Sequence, residues 1–277
     1  MTATAEPDRI PVTVLTGFLG AGKTTFLNRL IADPAFADAA VIVNELGAVG
    51  VDGDLVETLG ERAFLATTGC LCCTHSGDVR LALLRLDEAA AAGRAPRFRR
   101  VLIETTGLAD PAPALQALMT ADPVRARFAL NGLVTLVAAP DGVETLDRFA
   151  EARRQAAAAD LVLVTKADLA PPEATAALAA RLGALAPNAR VALVAETGPA
   201  AVFRLAAADP ALRPPAAADW LRFEGRPAAH SDVAALCLTA AAPVAAEDLG
   251  DAIDALMEGL GADLLRLKGI AALADDP

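Results

Sequence analysis

With 277 residues, the chain is long enough for one large α/β domain, or for a domain of about 200 residues with a smaller appendage. A formal net charge of -11, with no basic run longer than the pairs Arg99 Arg100 and Arg153 Arg154, gives a nucleic-acid partner no electrostatic footprint. No apolar stretch reaches the roughly 20 residues of a membrane-spanning helix, and Met1 to Arg9 lacks the basic, apolar and small-residue succession of a secretory leader, so a cytoplasmic protein without a membrane partner is expected.

The first apolar run, Val12 to Leu15, predicts a buried strand, and Thr24 to Ala32 predicts the helix that follows. Between them Gly17 Phe18 Leu19 Gly20 Ala21 Gly22 Lys23 Thr24 satisfies GxxxxGKT, with Thr25 next in line. In that arrangement backbone N–H groups of Gly17, Gly20, Ala21 and Gly22 wrap a β-phosphate at a helix N-terminus. Lys23 reaches the β and γ oxygens, and the Thr24 hydroxyl ligates magnesium (Mg2+). A nucleoside triphosphate site is therefore expected at 17–25, relying on local donors and a cation because the overall charge repels anions.

Ala40 to Val43 predicts the second strand, closed by Asn44 Glu45 Leu46 Gly47. Glu45 is a candidate oxygen ligand or switch contact, or else a solvated loop acid. After a third strand at Ala63 to Ala66 comes Gly69 Cys70 Leu71 Cys72 Cys73 Thr74, ahead of a helix at Asp78 to Ala92. Three thiolates so close cannot pair in an unstrained disulfide, but Cys70, Cys72 and Cys73 can converge on one soft or borderline cation such as zinc (Zn2+). His75 is a weaker ligand candidate than it is a polar cap. Cys237 reads as a buried small hydrophobe, and His230 as no ligand.

Val101 to Ile103 predicts a strand leading into Glu104 Thr105 Thr106 Gly107. A carboxylate there can hold magnesium through water, and Gly107 can offer its N–H to a γ-phosphate, so catalytic roles fall to Lys23, Thr24, Glu104 and Gly107. A helix at Pro111 to Thr120, a strand at Leu133 to Val137, a helix at Val143 to Ala159 and a strand at Leu161 to Val164 follow. Thr165 Lys166 Ala167 Asp168 then selects the base. The Asp168 carboxylate accepts from the two N–H groups of a guanine edge, and the Lys166 stem lies along the ring, so GTP is favoured over ATP. Most guanine sites carry Asn at the place of Thr165, which leaves room for looser selection. Beyond a helix at Pro172 to Ala184 and a strand at Val191 to Val194, Ala195 to Gly198 is placed to cap the base with backbone groups.

This alternation predicts an α/β fold: a three-layer, mainly parallel sheet of the phosphate-loop NTPase type, with a GTP-binding domain over 1–208. Residues 209–229 read as a Pro- and Ala-rich linker. A small α+β unit over 230–277 should supply strands at Asp232 to Thr239 and Asp263 to Gly269 around a helix at Ala246 to Leu260.

Together GFLGAGKTT at 17–25, VNELGAVGVDGDLV at 43–56, GCLCCT at 69–74, ETTGLADP at 104–111, TKADL at 165–169 and LLRLKGI at 264–270 resemble the CobW-type GTPases, cytosolic metallochaperones among the phosphate-loop NTPases. The resemblance spans nearly the whole chain. It implies a GTP-driven cycle in which nucleotide state controls how tightly Cys70, Cys72 and Cys73 hold a transition metal, zinc or cobalt (Co2+), for release to a client metalloprotein. Against the family's pattern the chain has Leu46 in place of Phe, Ala138 in place of Asp, and a second domain that reads as truncated or naturally shortened. Leu108 stands where a water-orienting Gln would serve hydrolysis, so slow turnover is expected until a client, a homodimer or metal completes the site. Two rival readings are a nucleotide-gated accessory protein for cofactor insertion and a non-enzymatic metal buffer.

Overall fold

The computed structural model describes residues 9–44, 56–58, 63–68, 77–120, 122–187, 189–198 and 200–203, and a discontinuous set between 238 and 274. Among the described residues eight strands form one sheet: β1 (Ile10–Gly17), β2 (Ala39–Asn44), β3 (Val56–Thr58), β4 (Ala63–Thr68), β5 (Arg100–Glu104), β6 (Phe128–Ala138), β7 (Leu161–Thr165) and β8 (Arg190–Leu193), in the order β3-β4-β2-β5-β1-β6-β7-β8. Every pairing is parallel except that of β3 with β4. The helices are α1 (Lys23–Ala32), α2 (Gly77–Ala91), α3 (Ala112–Thr120), α4 (Asp122–Arg127), α5 (Gly142–Arg148), α6 (Ala150–Ala157), α7 (Pro172–Leu185), α8 (Ala200–Phe203) and α9 (Ala246–Leu260).

Strand alternation divides the core between the two faces of the sheet. On β5, Val101 and Ile103 join Leu83 and Leu86 of α2 and Leu115 and Leu118 of α3, whereas Leu102 joins Phe26, Leu27 and Leu30 of α1. On β7, Val162 and Val164 meet Leu178 and Leu182 of α7, while Leu161 and Leu163 turn to the α1 side. Strands covered on both sides explain why their sequences read as apolar runs rather than as alternations.

Several expectations need correcting. The helix expected over Val143 to Ala159 is two helices, broken at Phe149, whose backbone is extended (φ -117°, ψ 117°) and whose ring stacks on Phe18 with centroids 4.5 Å apart. The strand expected from Leu133 begins at Phe128. Register slips between Val12 and Thr13, leaving Asn131 as an extra residue that donates to the Thr13 hydroxyl at 2.8 Å and the Val202 carbonyl at 3.0 Å. Strand β3 and helix α4 had no counterpart in the sequence reading. Toward the C-terminus, α9 forms as expected, and an isolated parallel bridge joins Val244 to Leu273. The linker 209–229 and most of both outer strands of that unit lie outside the described residues; Leu264 and Leu267 are described and are not in a strand.

Candidate nucleotide site

Strand β1 lies between β5 and β6, while the chain leaving it runs through α1 to β2, on the far side of β5. Chain direction thus diverges at the carboxyl end of β1, the place where open parallel sheets gather ligands. The loop at 17–22 fills that place. Gly17 has φ 144°, and a Cβ on it would run into the Leu136 carbonyl of β6, so only glycine lets the loop leave the sheet here. The loop closes with Ala21 N–H donating to the Phe18 carbonyl at 3.1 Å, and α1 begins with Phe26 N–H on the Gly22 carbonyl at 2.9 Å.

Lys23 donates to the carbonyls of Gly17 at 2.8 Å and Phe18 at 3.2 Å, so its ammonium is held inside the loop's curve. Its pKa is lowered from the ordinary lysine value chiefly because burial desolvates the charge; the nearby Glu104 carboxylate opposes that shift. Thr24, at the solvent-exposed start of α1, donates to Glu104 Oε1 at 3.0 Å, although 80 residues separate the two. Glu104 ends β5, where Leu15 and Glu104 pair in parallel register. Below it, Thr105 N–H donates to the Leu15 carbonyl at 2.9 Å and its hydroxyl to Thr16 at 2.8 Å, fixing the loop's root to β1. Buried Gly107 comes close to the phosphate loop: a Cβ on it would lie 2.8 Å from the Leu19 backbone nitrogen. Lys23, Thr24, Glu104 and Gly107 therefore meet around one loop. A hydroxyl and a carboxylate within hydrogen-bond distance at the N-terminus of α1 are the donor set a hard divalent cation beside a phosphate uses, so the residues fit magnesium and a nucleotide's phosphates.

On the base side the geometry differs from expectation at one residue. Thr165, read as part of the base contact, is buried (6% exposed) and donates to the Ala21 carbonyl at 2.8 Å. It ties β7 to the phosphate loop instead of facing solvent. Lys166 takes a left-handed conformation (φ 55°) and is exposed, as are Asp168 and Ala195, so these three remain available to a ligand at the sheet's edge. Thr25 is also exposed, one residue into α1 from Thr24. Glu45, Cys70, Cys72, Cys73, His75, His230 and Cys237 lie outside the described residues, and among the described residues no group of three His, Cys, Asp or Glu side chains could hold a metal.

Sequence reasoning missed Gln155. It is fully buried on α6 and donates to the carbonyls of Gly107 at 3.2 Å and Ala109 at 2.9 Å. Its signal was a polar residue between Ala152 and Ala156 on the core-facing side of an alanine-rich helix.

Comparison with known proteins agrees with this geometry. Residues 11–192 match the family described as CobW/HypB/UreG, nucleotide-binding domain. The zinc chaperone YjiA of Escherichia coli (strain K12) is 40% identical over 161 residues, covering 58% of this chain and 50% of that protein. The zinc chaperone CobW of Pseudomonas aeruginosa is 31% identical over an alignment of 307 positions, covering 97% of this chain and 78% of the relative. The crystal structure of Zn(II)-bound YjiA GTPase from E. coli superposes with a TM-score of 0.64 at 28% identity, over 91% of this chain and 78% of that one. Against YjiA the sequence match spans only about half of the relative's length. No helix among the described residues is long and apolar enough to cross a membrane. From a phosphate loop at the sheet's switch point, a Thr24–Glu104 pair beside it and these matches, the chain belongs to the CobW/HypB/UreG family of nucleotide-binding proteins.

Proposed function

We propose that this chain is a GTPase metallochaperone: it binds GTP with magnesium, hydrolyses it slowly, and couples that cycle to holding a transition metal and passing it to a client metalloprotein. The observation that carries the nucleotide half is the hydrogen bond between Thr24 and Glu104, which brings the hydroxyl of the phosphate loop to the carboxylate closing β5. Magnesium held by these two groups would neutralise charge developing on the β and γ oxygens. Lys23 stabilises the same oxygens, Gly107 N–H meets the γ-phosphate, and Asp168 with Lys166 takes the guanine edge. Leu108 supplies no water-orienting group, which favours a slow intrinsic rate.

The metal half rests on the thiols of Cys70, Cys72 and Cys73, with Glu45 as an oxygen ligand; zinc is the preferred cargo and cobalt the second. Two observations support placing it near the nucleotide. Asn44 pairs with Thr68, and Val43 with Glu104, so the chain leaves the sheet toward Glu45 and toward the cysteines at the same edge as Glu104. Relatives named zinc chaperone, and a Schizosaccharomyces pombe relative named zinc-regulated GTPase metalloprotein activator 1 (33% identical over 178 residues), support zinc as the cargo.

Competitive Zn(II) and Co(II) titration of the reduced chain, with a non-hydrolysable GTP analogue, with GDP and without nucleotide, tests the coupling. Metal affinity should differ between the analogue and GDP states by the several-fold or more typical of linked sites. Cys72→Ala should lower metal affinity while guanine-nucleotide affinity holds. Equal metal affinity in all three states would refute the coupled cycle and leave the metal-buffer reading.

A further inference from the structure

We propose that α6 is the element that registers the γ-phosphate, with Gln155 as the positioning residue that ties it to the Gly107 loop. The inference rests on the nucleotide reading above and extends it to a residue outside the phosphate-loop, Glu104 and base motifs. Three consecutive side chains of α6 reach three different places. Arg153 donates to the Leu146 carbonyl at 2.8 Å and the Asp147 carbonyl at 3.1 Å, fixing α6 to the end of α5. Arg154 lies 3.6 Å from the Asp110 carboxylate, just beyond the Gly107 loop. Gln155 sends both hydrogens of one amide nitrogen into that loop, to Gly107 and Ala109.

The match between Gln155 and the loop is directional. Two carbonyls present acceptors only, and a glutamine amide has donors on one side and an acceptor on the other, so one orientation binds and the flipped one repels. Gln155 Oε1 has no partner among the described residues, so nothing else competes for the side chain's orientation. Its own carbonyl accepts from the Thr135 hydroxyl at 2.7 Å, which seats the helix on β6. The Gly107 N–H lies one peptide plane before the Gly107 carbonyl, so a turn of that N–H toward a γ-phosphate would reach the carbonyls held by Gln155 through the backbone angles of Gly107. Either both hydrogen bonds to Gln155 break in the interior, at the cost of stranding buried groups, or α6 follows the loop.

A second contact carries the same helix to the phosphate loop. Phe149, directly before α6, stacks on Phe18 at 4.5 Å and 29°. Phe18 also lines a cavity of about 110 Å³, together with Leu19 and Ala21 of the loop and Ala152 and Gln155 of α6. The space gives the Phe18 side of the loop and the α6 side room to shift against each other without overpacking. One helix thus touches both the loop that holds the β-phosphate and the loop that would sense the γ-phosphate.

The test measures affinities of the full chain for GDP and for a non-hydrolysable GTP analogue, in the unaltered protein and in Gln155→Met, which keeps volume and removes the donors. The variant should hold GDP within about threefold while its analogue-to-GDP preference shifts about tenfold in one direction or the other, the effect of removing two ordinary hydrogen bonds that are strained or broken in one nucleotide state and kept in the other. Amide hydrogen exchange over Ala150–Ala157 in the unaltered chain supplies a readout that does not depend on the variant folding, and it should differ between the GDP and analogue states. An unchanged preference in Gln155→Met, equal weakening of both nucleotides, or identical exchange across α6 in the two states would each overturn the assignment. If the unaltered chain binds neither nucleotide, the nucleotide reading falls and takes this one with it; binding with normal discrimination but no effect at Gln155 sinks this one alone.

Discussion

Replacing Thr165 with Val removes one oxygen from a buried site and keeps the shape of the side chain. In the folded chain that hydroxyl carries a single proton, given to the Ala21 carbonyl at 2.8 Å, with the Val137 carbonyl a more distant neighbour at 3.4 Å. The substitution loses a hydrogen bond of ordinary net strength and leaves a buried carbonyl of the phosphate loop short of a donor, about 1–2 kcal/mol in all. For a domain of this size that corresponds to a melting-point drop of about 3–6 °C. Ala21 sits in the loop proposed to wrap the phosphates, so every nucleotide should bind more weakly by a similar factor. The ratio of guanine to adenine affinity should hold, because the hydroxyl points to the loop and not to the base. Thermal unfolding with fluorescent-nucleotide titration of GDP and ADP reads both quantities. A variant with an unchanged melting point and a collapsed guanine preference would show that Thr165 contacts the base and that the reasoning is wrong.

Gly17→Ala should abolish nucleotide binding and destabilise the nucleotide-free chain by about 1–3 kcal/mol or more, since the new methyl meets the Leu136 carbonyl at a left-sided φ; urea unfolding and nucleotide titration check it, and a stable variant with intact binding would contradict the close approach. The half-buried, partly desolvated Lys23 titrates below its ordinary value of 10.5 in the folded chain, so the unfolded chain binds more protons between the two values and stability rises with pH across that window. Lys23→Met should flatten this rise in urea midpoints of the nucleotide-free protein, and parallel curves for the two proteins would count against it. By the same shift, phosphate affinity of the unaltered chain should weaken as pH climbs toward 10.5, as the ammonium is lost.

How much of this was legible in the sequence varies by element. The phosphate loop was, because GxxxxGKT is a local constraint: its glycines, its lysine and the helix that follows act within a few residues of one another. Strands β1, β5 and β7 were legible as short runs of Val, Leu and Ile, since burial on both faces leaves no other pattern. The start of β6 was not, because Ala129, Asn131 and Gly132 carry no strand signal; pairing with Ile10–Val12 imposes the strand and the extra residue at Asn131. Nor was the break at Phe149, where an extended residue interrupts a continuous helical composition.

What the sequence by itself determined about this protein is chemistry encoded by neighbours in the chain: a GxxxxGKT turn, a carboxylate at a strand end, a cluster of thiols, and most of the alternation of strands and helices. Tertiary structure alone decided which distant groups share a space. Thr165 with the Ala21 carbonyl and Gln155 with the Gly107 loop are separated by 144 and 48 residues. A hydrogen bond needs its partners within about 3 Å, and no local propensity conveys that distance. Strand order does: with β1 set between β5 and β6, the ends of three strands and the loops that leave them are held side by side.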